Sequence, residues 1–296
     1  MSLGHLRGEL RINEPLMRYT SWRVGGPADR YYKPADGDDL AEFMHRLPTG
    51  ESILWIGLGS NLLIRDGGFR GTTVSIHGVL DTVRRVDDTR IFVEAGVHCA
   101  RLAKLAASWG LAGGEFFAGI PGTIGGALAM NAGAWGGETW PVVRSVPVLG
   151  RDGSTRTLGA EAFEIGYRSV TPPEPHLWFV AAELELQPDE NGGAAGRIRD
   201  MIAERKAKQP VGKPSCGSVF RNPTGDHAAR LIEAAGLKGH QIGDAEVSTK
   251  HANFIINRGH ALAAAIESLI TQVRETVQRK FAVDLVPEVR IVGEVA

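Results

Sequence analysis

The apolar positions in the first two thirds of the chain fall in short runs that are typical of β-strands. These runs are rich in Val, Ile and Thr, and Gly or Asp-Asp turns separate many of them. Two of the runs flank the turn Arg151-Asp152-Gly153 and predict a β-hairpin. The predicted strands are Ala28–Lys33, Ser52–Ile56, Thr72–Ile76, Thr82–Val86, Ile91–Glu94, Val142–Leu149, Thr155–Leu158 and Leu177–Gln187.

Apolar residues at helical spacing predict helices at Asp38–Leu47 and at Cys99–Trp109. The second helix ends before Gly110, a typical residue just beyond a helix C-terminus. A polar, glycine-rich link, Pro188–Gly196, then marks a change of character. Beyond it the sequence predicts the helices Arg197–Lys208, Asp226–Ala235 and Leu262–Phe281 and the strand Asn253–Asn257. Strands and helices in two such blocks predict the α+β class.

One stretch, Phe117–Glu138 (FAGIPGTIGGALAMNAGAWGGE), has seven glycines and no Lys or Arg. Glycine tolerates positive φ and lets a ligand approach the main chain closely. Successive N–H groups in such turns favour anions. The GTIGGALAMN part predicts a helix, whose N-terminus would strengthen that preference. A tight turn packed against a core is the structural alternative.

A second glycine cluster, Gly57–Gly71 (GLGSNLLIRDGGFRG), follows the apolar run Ile53–Ile56, which predicts a buried strand. It is not a P-loop, because no Gly-Lys-Ser/Thr follows. It also lacks the third glycine of the dinucleotide-binding fingerprint. Two loops suited to phosphate, neither relying on a cluster of cations, favour a diphosphate held between them.

Composition narrows the classes of function. The chain has 33 Lys and Arg against 34 Asp and Glu, so no broad basic field supports binding to nucleic acid or to a membrane. Its two cysteines, Cys99 and Cys216, form neither a metal-ligand spacing nor a disulfide framework. The first residues are charged and lack the apolar region of a signal peptide, and no apolar run is long enough to span a membrane. We expect a folded, cytoplasmic monomer without a metal site.

The two loops, GLGSNLLIRDGGF and GIPGTIGGALAMNAGAWGGE, resemble the FAD-diphosphate loops of the UDP-N-acetylenolpyruvoylglucosamine reductase family. Other segments resemble the remaining motifs of that family in the expected order. They are TSWRVGGPAD (Thr20–Asp29), Tyr167-Arg168-x-Val, SCGSVFRNP (Ser215–Pro223) and PEVRIVG (Pro287–Gly293). Since the resemblance runs from about Thr20 to Val292, the chain is identified as a member of this family.

The resemblance implies two FAD-binding subdomains of the type shared with the p-cresol methylhydroxylase group, followed by an α/β substrate-binding domain. The implied bounds are 1–71 and 72–190 for the two subdomains and 197–284 for the substrate-binding domain. A last segment, 285–296, is expected to return as a strand to the flavin side.

The resemblance also implies the reaction. NADPH reduces a noncovalently bound FAD, which then passes hydride from N5 to UDP-N-acetylglucosamine enolpyruvate and yields UDP-N-acetylmuramate for peptidoglycan. An isolated alkene resists hydride, so the site must stabilise the enolate that forms and supply a proton. The implied cofactor-binding residues are Gly57, Gly59, Ser60, Asn61, Leu62, Gly119, Ile120, Pro121, Gly122, Thr123, Gly125, Gly126, Ala127, Asn131 and Gly133.

Three residues are implied to be catalytic. Arg168 would bind the substrate carboxylate, since a guanidinium can do so with two parallel hydrogen bonds. Ser218 would donate the proton, with Ser215 and Cys216 as close alternatives. Glu288 would complete the carboxyl-binding set, with a raised pKa if it is buried beside an anion. The structural alternatives are a surface ion pair for Arg168, a turn or cap residue for Ser218 and a surface glutamate for Glu288.

A further group of polar residues matches family positions that hold the substrate or the nicotinamide cofactor. A packed ring, a solvated lysine and a turn asparagine are the structural alternatives for its members. The group consists of Tyr167, Lys208, Asn222, His251 and Asn253.

One departure assigns the chain to a branch of the family. About fifty positions separate Arg168 from Ser218, and nothing within 169–187 resembles the substrate-capping tyrosine loop of the longer branch. The chain therefore resembles the shorter branch. Two other functions compete with the reductase: another FAD oxidase or dehydrogenase of this fold acting on a sugar or alcohol, and a nucleotide-binding regulatory module without turnover. Uptake of FAD, and its bleaching by NADPH, would discriminate among the three.

Overall fold

The computed structural model describes residues 6–296. Contacts within the chain define two units. Among the described residues, unit 1 consists of 6–11, Tyr31–Gly57 and Thr73–Glu204. Unit 2 consists of Ile12–Arg30, Leu58–Thr72 and Arg205–Ala296.

The strands are numbered in chain order. They are β1 (Glu9–Pro15), β2 (Pro27–Lys33), β3 (Ile53–Ile56), β4 (Leu62–Ile64), β5 (Phe69–Ser75), β6 (Val83–Arg85), β7 (Arg90–Glu94), β8 (Leu111–Ala112), β9 (Gly133–Ala134), β10 (Gly137–Glu138), β11 (Val143–Leu149), β12 (Thr155–Gly159), β13 (Glu164–Gly166), β14 (Ser169–Thr171), β15 (Trp178–Phe179), β16 (Ala181–Glu185), β17 (Gln187–Pro188), β18 (Gln241–Ile242), β19 (Ala245–Val247), β20 (Ile255–Asn257) and β21 (Arg290–Val292).

The α-helices are α1 (Gly37–Arg46), α2 (Cys99–Ser108), α3 (Ile124–Met130), α4 (Ala194–Lys208), α5 (Ala228–Ala234) and α6 (Ala263–Phe281). Short 3₁₀ turns lie at Leu16–Tyr19, Glu115–Gly119, Trp140–Val142 and Ala160–Ala162. Within residues 6–296, no helix combines the length and the apolar character needed to cross a bilayer.

An antiparallel sheet forms the centre of unit 1, with the strand order β12-β11-β16-β7-β6 and with β15 also paired to β11. Alternate residues of β11, such as Val146 and Val148, are fully buried, as period-2 side-chain alternation requires. They share a core with Leu102 of α2 and Leu128 of α3. The indole of Trp140 joins this core and donates from Nε1 to the carbonyl of Leu128 at 2.9 Å.

The buried carboxylate of Asp39 ties together the chain around α1. Its oxygens accept hydrogen bonds from the amide of Arg7 at 2.7 Å, the amide of Ala35 at 2.9 Å and the hydroxyl of Tyr32 at 2.5 Å. Burial alone would raise the pKa of Asp39, but the three donors outweigh it and lower that pKa. The ring of Tyr32 in turn stacks on Phe43, at 3.7 Å between the ring centroids.

We expect Asp39→Ala to lower the free energy of unfolding by about 2–4 kcal/mol, because three donors lose their partner and one of them is the buried hydroxyl of Tyr32. The folded-state pKa is lowered, so this stabilisation is present above the unfolded pKa of about 3.9 and is lost as the pH falls through the folded value. Urea unfolding between neutral and acidic pH measures both effects. Asp38→Ala, an exposed change on the same helical turn, is the control, and an equal shift in the two variants would contradict the prediction.

The core of unit 2 lies between α6 and a small antiparallel sheet of order β18-β19-β20. One face of α6 is fully buried along its length: Ile266, Leu269, Ile270, Val273 and Val277. This spacing is the helical period that the sequence displays. In the same unit β21 pairs in parallel with β4, so the C-terminal strand lies beside the middle of the glycine cluster Gly57–Gly71.

Two sequence predictions differ from the structure, and a third is confirmed. The run predicted as one strand at Leu177–Gln187 is divided into β15, β16 and β17. The helix predicted from Arg197 begins at Ala194, because Asp189 Oδ2 accepts the amide of Ala194 at 2.7 Å. The predicted hairpin is confirmed: β11 and β12 pair across a loop that contains Asp152 and Gly153, and the amide of Gly153 donates to the carbonyl of Gly150 at 3.1 Å.

Candidate active site

The glycine-rich stretch 117–138 folds in unit 1 as a 3₁₀ turn, a loop, the helix α3 and the hairpin β9–β10. Thr123 caps α3, because its hydroxyl accepts the amide of Gly126 at 3.4 Å. The helix ends at Asn131, a non-glycine residue with a left-handed φ of 46°. The hairpin turn continues this conformation, with φ of 49° at Trp135 and 82° at Gly136. Left-handed non-glycine residues are strained, and such strain concentrates at functional sites.

Gly57 and Gly126 show why this region is rich in glycine. A Cβ on Gly57 would lie 2.5 Å from Thr123 Oγ1, so only glycine allows the end of β3 to approach the α3 cap this closely. Gly126 is exposed, and a Cβ there would meet only Thr123 Oγ1, at 3.8 Å. The main chain of the first turn of α3 is therefore open on that side.

Trp135 covers another glycine of the stretch. A Cβ on Gly119 would lie 2.1 Å from Cζ3 of the Trp135 ring, so this ring occupies the space where a side chain at position 119 would begin. The Trp135 side chain remains 37% exposed. An aromatic ring thus lies on the surface of the glycine-rich stretch, in space that is open only because position 119 has no side chain.

Arg168 lies at the tip of the hairpin β13–β14, where Gly166 pairs with Ser169 and leaves Tyr167 and Arg168 in the turn. Its φ is 54°. The guanidinium is 5.0 Å from the ring centroid of Tyr167, which is half exposed.

The Arg168 guanidinium points back to the glycine-rich stretch. Nη1 donates to the carbonyl of Asn131 at 3.1 Å and Nη2 to the carbonyl of Gly133 at 2.9 Å, with Glu138 Oε1 4.0 Å from Nη1. The Asn131 amide also donates to Glu138 Oε2 at 3.0 Å and to the carbonyl of Gly166 at 3.2 Å. The guanidinium therefore fixes the loop that follows α3. Its side chain is 15% exposed, so it is not the solvated surface arginine of the structural alternative.

Most of the glycine cluster Gly57–Gly71 belongs to unit 2, where it is anchored on α6. Arg65 forms a two-bond ion pair with Glu267, at 2.7 and 2.9 Å. Asp66 accepts the amides of Ala263 and Ala264, both at 2.9 Å, and so caps the helix. Gly59 has a φ of 57°, and a Cβ there would lie 2.1 Å from the carbonyl oxygen of Tyr19.

Ser218 lies in an irregular segment whose main chain is held on two sides. The residue after it, Val219, donates its amide to the carbonyl of Asn253 at 2.9 Å and accepts the amide of Glu288 at 2.8 Å. The Ser218 side chain is half-buried, and its hydroxyl has no hydrogen-bond partner among residues 6–296. The amide of Arg221 donates to the carbonyl of Val286 at 2.9 Å, which continues the main-chain pairing between this segment and the one that contains Glu288.

Glu288 is therefore brought beside the Ser218 segment by the main chain itself. Asn61 of the glycine cluster Gly57–Gly71 reaches the same point. Its Nδ2 donates to the carbonyl of Glu288 at 3.0 Å, and its main-chain carbonyl accepts the amide of Arg290 at 3.1 Å. Residues from three distant parts of the sequence meet here within unit 2. The signal for this was that each of them lies in a motif of the same family, and no local pattern would have paired them.

The two alternatives to Ser218 lie in different surroundings. Burial, and secondarily the charge of Glu288, raises the pKa of the Cys216 thiol far above its ordinary value. A thiol of this kind stays protonated and is a packed residue rather than a nucleophile. Ser215 Oγ makes a long hydrogen bond of 3.4 Å to the carbonyl of Lys213.

The substrate-binding candidates in unit 2 have varied contacts. Asn222 Oδ1 accepts the amide of Ala228 at 3.1 Å and so caps α5. His251 packs edge-on against Phe254, its Nδ1 is buried without a hydrogen-bond partner, and burial lowers its pKa. Lys208 is exposed at the end of α4. The last candidate, Asn253, is 3% exposed and uses both amide atoms on the main chain of Phe220.

The structure thus groups the candidates in two sets. Ser218 and Glu288 lie together with Asn61 and Asn253 in unit 2. Arg168 lies with the glycine-rich stretch in unit 1. Within residues 6–296, no group of three His, Cys, Asp or Glu side chains is arranged to hold a metal ion.

Two family models match the chain. The model described as "FAD binding domain" matches residues 28–159, which include both glycine-rich loops. The model described as "UDP-N-acetylenolpyruvoylglucosamine reductase, C-terminal domain" matches residues 209–292, which include Ser218 and Glu288.

Curated relatives match the chain over nearly its whole length. A UDP-N-acetylenolpyruvoylglucosamine reductase of Alkalilimnicola ehrlichii is 58% identical over 287 residues, covering 97% of this chain and 96% of the relative. One of Methylococcus capsulatus is 55% identical, covering 97% and 94%. The crystal structure of the reductase MurB from Thermus caldophilus has a TM-score of 0.81 and 32% identity, covering 97% of this chain and 99% of that one.

Proposed function

The chain belongs to the UDP-N-acetylenolpyruvoylglucosamine reductase family, and on that premise we propose that it uses NADPH to reduce UDP-N-acetylglucosamine enolpyruvate to UDP-N-acetylmuramate. It is an oxidoreductase with an FAD-binding domain. The observation that carries the proposal is the match of both family models in chain order, with the cofactor loops in one and Ser218 and Glu288 in the other.

The residues of the glycine-rich stretch are suited to the diphosphate of FAD. The stretch has no Lys or Arg, so an anion there would depend on main-chain N–H groups. The open side of Gly126 lets a phosphate approach the main chain, which a side chain would prevent. When bound, FAD supplies the hydride chemistry, and the protein supplies binding, orientation and electrostatics.

Arg168 is proposed to hold the carboxylate of the enolpyruvyl group and to stabilise the negative charge that grows there. A guanidinium can donate five hydrogen bonds, so holding the carbonyls of Asn131 and Gly133 is compatible with binding a carboxylate as well. Those carbonyl contacts orient the planar group before the ligand arrives, and a donor fixed in advance is worth more to catalysis than a mobile one.

Ser218 is proposed to give its proton to the carbon beside the carboxylate. Its hydroxyl has no hydrogen-bond partner among residues 6–296, so it is available to a ligand. Glu288, held beside the same segment by the Val219 carbonyl, is proposed to share a proton with the enolate. Lys208, Asn222 and His251 are proposed to contact the sugar nucleotide or the nicotinamide cofactor.

Anaerobic spectroscopy of the purified protein tests this function. We expect a yellow protein whose flavin absorbance is bleached by NADPH and restored by the enolpyruvyl sugar nucleotide, with UDP-N-acetylmuramate as the product. A colourless protein that takes up no FAD would overturn the proposal in favour of a binding module. Oxygen consumption with simple sugars, without need of NADPH, would overturn it in favour of an oxidase.

The cofactor loop yields a prediction of its own. We expect Gly126→Asp to lose most of its FAD, because a carboxylate would stand where the diphosphate approaches the main chain, while the protein around it has room for the side chain. Gly126→Asn has nearly the same shape without the charge, and it should keep far more flavin. The flavin-to-protein absorbance ratio measures both, and full flavin content in the Asp variant would exclude this position for the diphosphate.

A further inference from the structure

Asn253 makes three hydrogen bonds to the two residues that follow Ser218. Its carbonyl accepts the amide of Val219 at 2.9 Å. Its side-chain Oδ1 accepts the amide of Phe220 at 3.0 Å, and its Nδ2 donates to the carbonyl of Phe220 at 2.8 Å. One asparagine thus pairs with Val219 and Phe220 as a neighbouring strand would.

We propose that Asn253 is a positioning residue for the proton donor, acting through the main chain of Val219 and Phe220 to place the hydroxyl of Ser218. The proposal rests on the function proposed above, in which Ser218 protonates the substrate. It replaces the contact with the sugar nucleotide that the family resemblance implies for Asn253.

Burial argues against a ligand contact by Asn253. The side chain is 3% exposed, and both its amide oxygen and its amide nitrogen are engaged by the same buried residue, Phe220. A ligand could reach these atoms only if the Phe220 main chain gave up its hydrogen bonds, and a buried unpaired amide costs about 1–3 kcal/mol.

Ser218 depends on its main chain for its position. Its hydroxyl has no hydrogen-bond partner among residues 6–296, so no hydrogen bond of its own fixes the side chain. On its N-terminal side lies Gly217 with a φ of 84°, a residue type with wide conformational freedom. The restraint must therefore come from the C-terminal side, at Val219 and Phe220.

That C-terminal side is held along two edges. Glu288 donates its amide to the Val219 carbonyl at 2.8 Å, and Val286 accepts the amide of Arg221 at 2.9 Å, so one edge is secured by main chain. Asn253 secures the other edge. Loss of its side chain leaves Phe220 with a buried unpaired amide and carbonyl. Only the main-chain bond from the Val219 amide to the Asn253 carbonyl then remains on this edge, so the segment is held less firmly.

Asn253→Asp tests the proposal with the smallest change of shape. The carboxylate can still accept the Phe220 amide, but it has no N–H for the Phe220 carbonyl and repels it. We expect NADPH to bleach the flavin at close to the normal rate, and reoxidation by the enolpyruvyl sugar nucleotide to slow by about 10–100-fold, the scale of a misplacement near 1 Å. The solvent deuterium isotope effect on reoxidation should rise, because proton transfer becomes rate-limiting.

Asn257→Asp is the matched control. Asn257 is a buried asparagine of the same unit, 4% exposed, whose amide donates to the carbonyl of Trp22 at 2.9 Å and accepts the amides of Gly259 and Ala261. The same chemical change there should destabilise the unit without a selective effect on reoxidation. Equal slowing in both variants, or equal slowing of both half-reactions, would overturn the proposal.

A double-mutant cycle gives the decisive measurement. If Asn253 acts through Ser218, Asn253→Asp should slow reoxidation little further in the Ser218→Ala background. Additive losses would mean that Asn253 acts independently, as a ligand contact would. If Asn253→Asp does not fold, Asn253→Ser takes its place in the cycle. The smaller side chain leaves room for a water molecule between the segments that contain residues 253 and 220. Failure of the unchanged protein to turn over would instead refute the proposed function itself.

Discussion

The Ser218→Ala variant is expected to bleach its flavin with NADPH at close to the normal rate and to be reoxidised by the enolpyruvyl sugar nucleotide about 10²–10⁴-fold more slowly, the usual contribution of a positioned general acid. Flavin reduction needs no proton donor at the alkene, whereas sugar reduction does. Because the Ser218 hydroxyl has no partner among residues 6–296, its removal should change the free energy of unfolding by no more than about 0.5 kcal/mol.

Stopped-flow measurement of the two half-reactions decides this prediction, with Ser215→Ala as the control. Ser215 lies three residues away in the same irregular segment, and among the described residues 6–296 its hydroxyl makes only the long hydrogen bond to the carbonyl of Lys213. Its loss should leave both rates nearly unchanged. Equal slowing of both half-reactions in Ser218→Ala would indicate disturbed flavin geometry, and selective slowing in Ser215→Ala would move the donor to that residue.

Elements that bury one face were predictable from the sequence. The periodicity of α2 and α6 predicted all four of their ends to within one residue, because the buried stripes repeat with the helical period over two or more turns. The long strand at Leu177–Gln187 was not resolved into three, since β15 and β16 both pair with β11 and the break depends on that partner. The early start of α4 depends on capping by Asp189, five positions away from Ala194.

The family motifs identified the candidate residues, but their contacts could not be read from the sequence. Asn253 and Phe220 are 33 positions apart, and a polar residue inside an apolar run gives no sign of its partner. The family motif predicts that Arg168 binds the substrate carboxylate. Nothing in the Tyr-Arg pair indicates that the guanidinium would also donate to the carbonyls of Asn131 and Gly133. Such contacts arise from the tertiary fold, so only the structure could reveal them.

The contacts of Arg168 make Arg168→Lys the most informative change in unit 1. A lysine keeps the charge and faces the same left-handed backbone, but its ammonium lacks the planar fork. We expect reoxidation by the enolpyruvyl sugar nucleotide to slow by about 10²–10³-fold, the scale of losing one fixed donor to a developing anion. Bleaching by NADPH should change far less, provided that the flavin content stays normal.

Two comparisons separate a role at the substrate carboxylate from a role in holding the loop. Arg144→Lys changes an exposed arginine of the same unit, paired on the surface with Glu185 at 3.1 Å, and such pairs contribute about 0–1 kcal/mol, so its kinetics should be unaltered. UDP-N-acetylglucosamine, which lacks the enolpyruvyl carboxylate, should bind the Arg168→Lys variant and the unchanged protein with equal affinity, because Arg168 is proposed to contact the carboxylate alone. Loss of flavin from Arg168→Lys, or weaker binding of the carboxylate-free nucleotide, would show that the guanidinium serves to hold the carbonyls of Asn131 and Gly133.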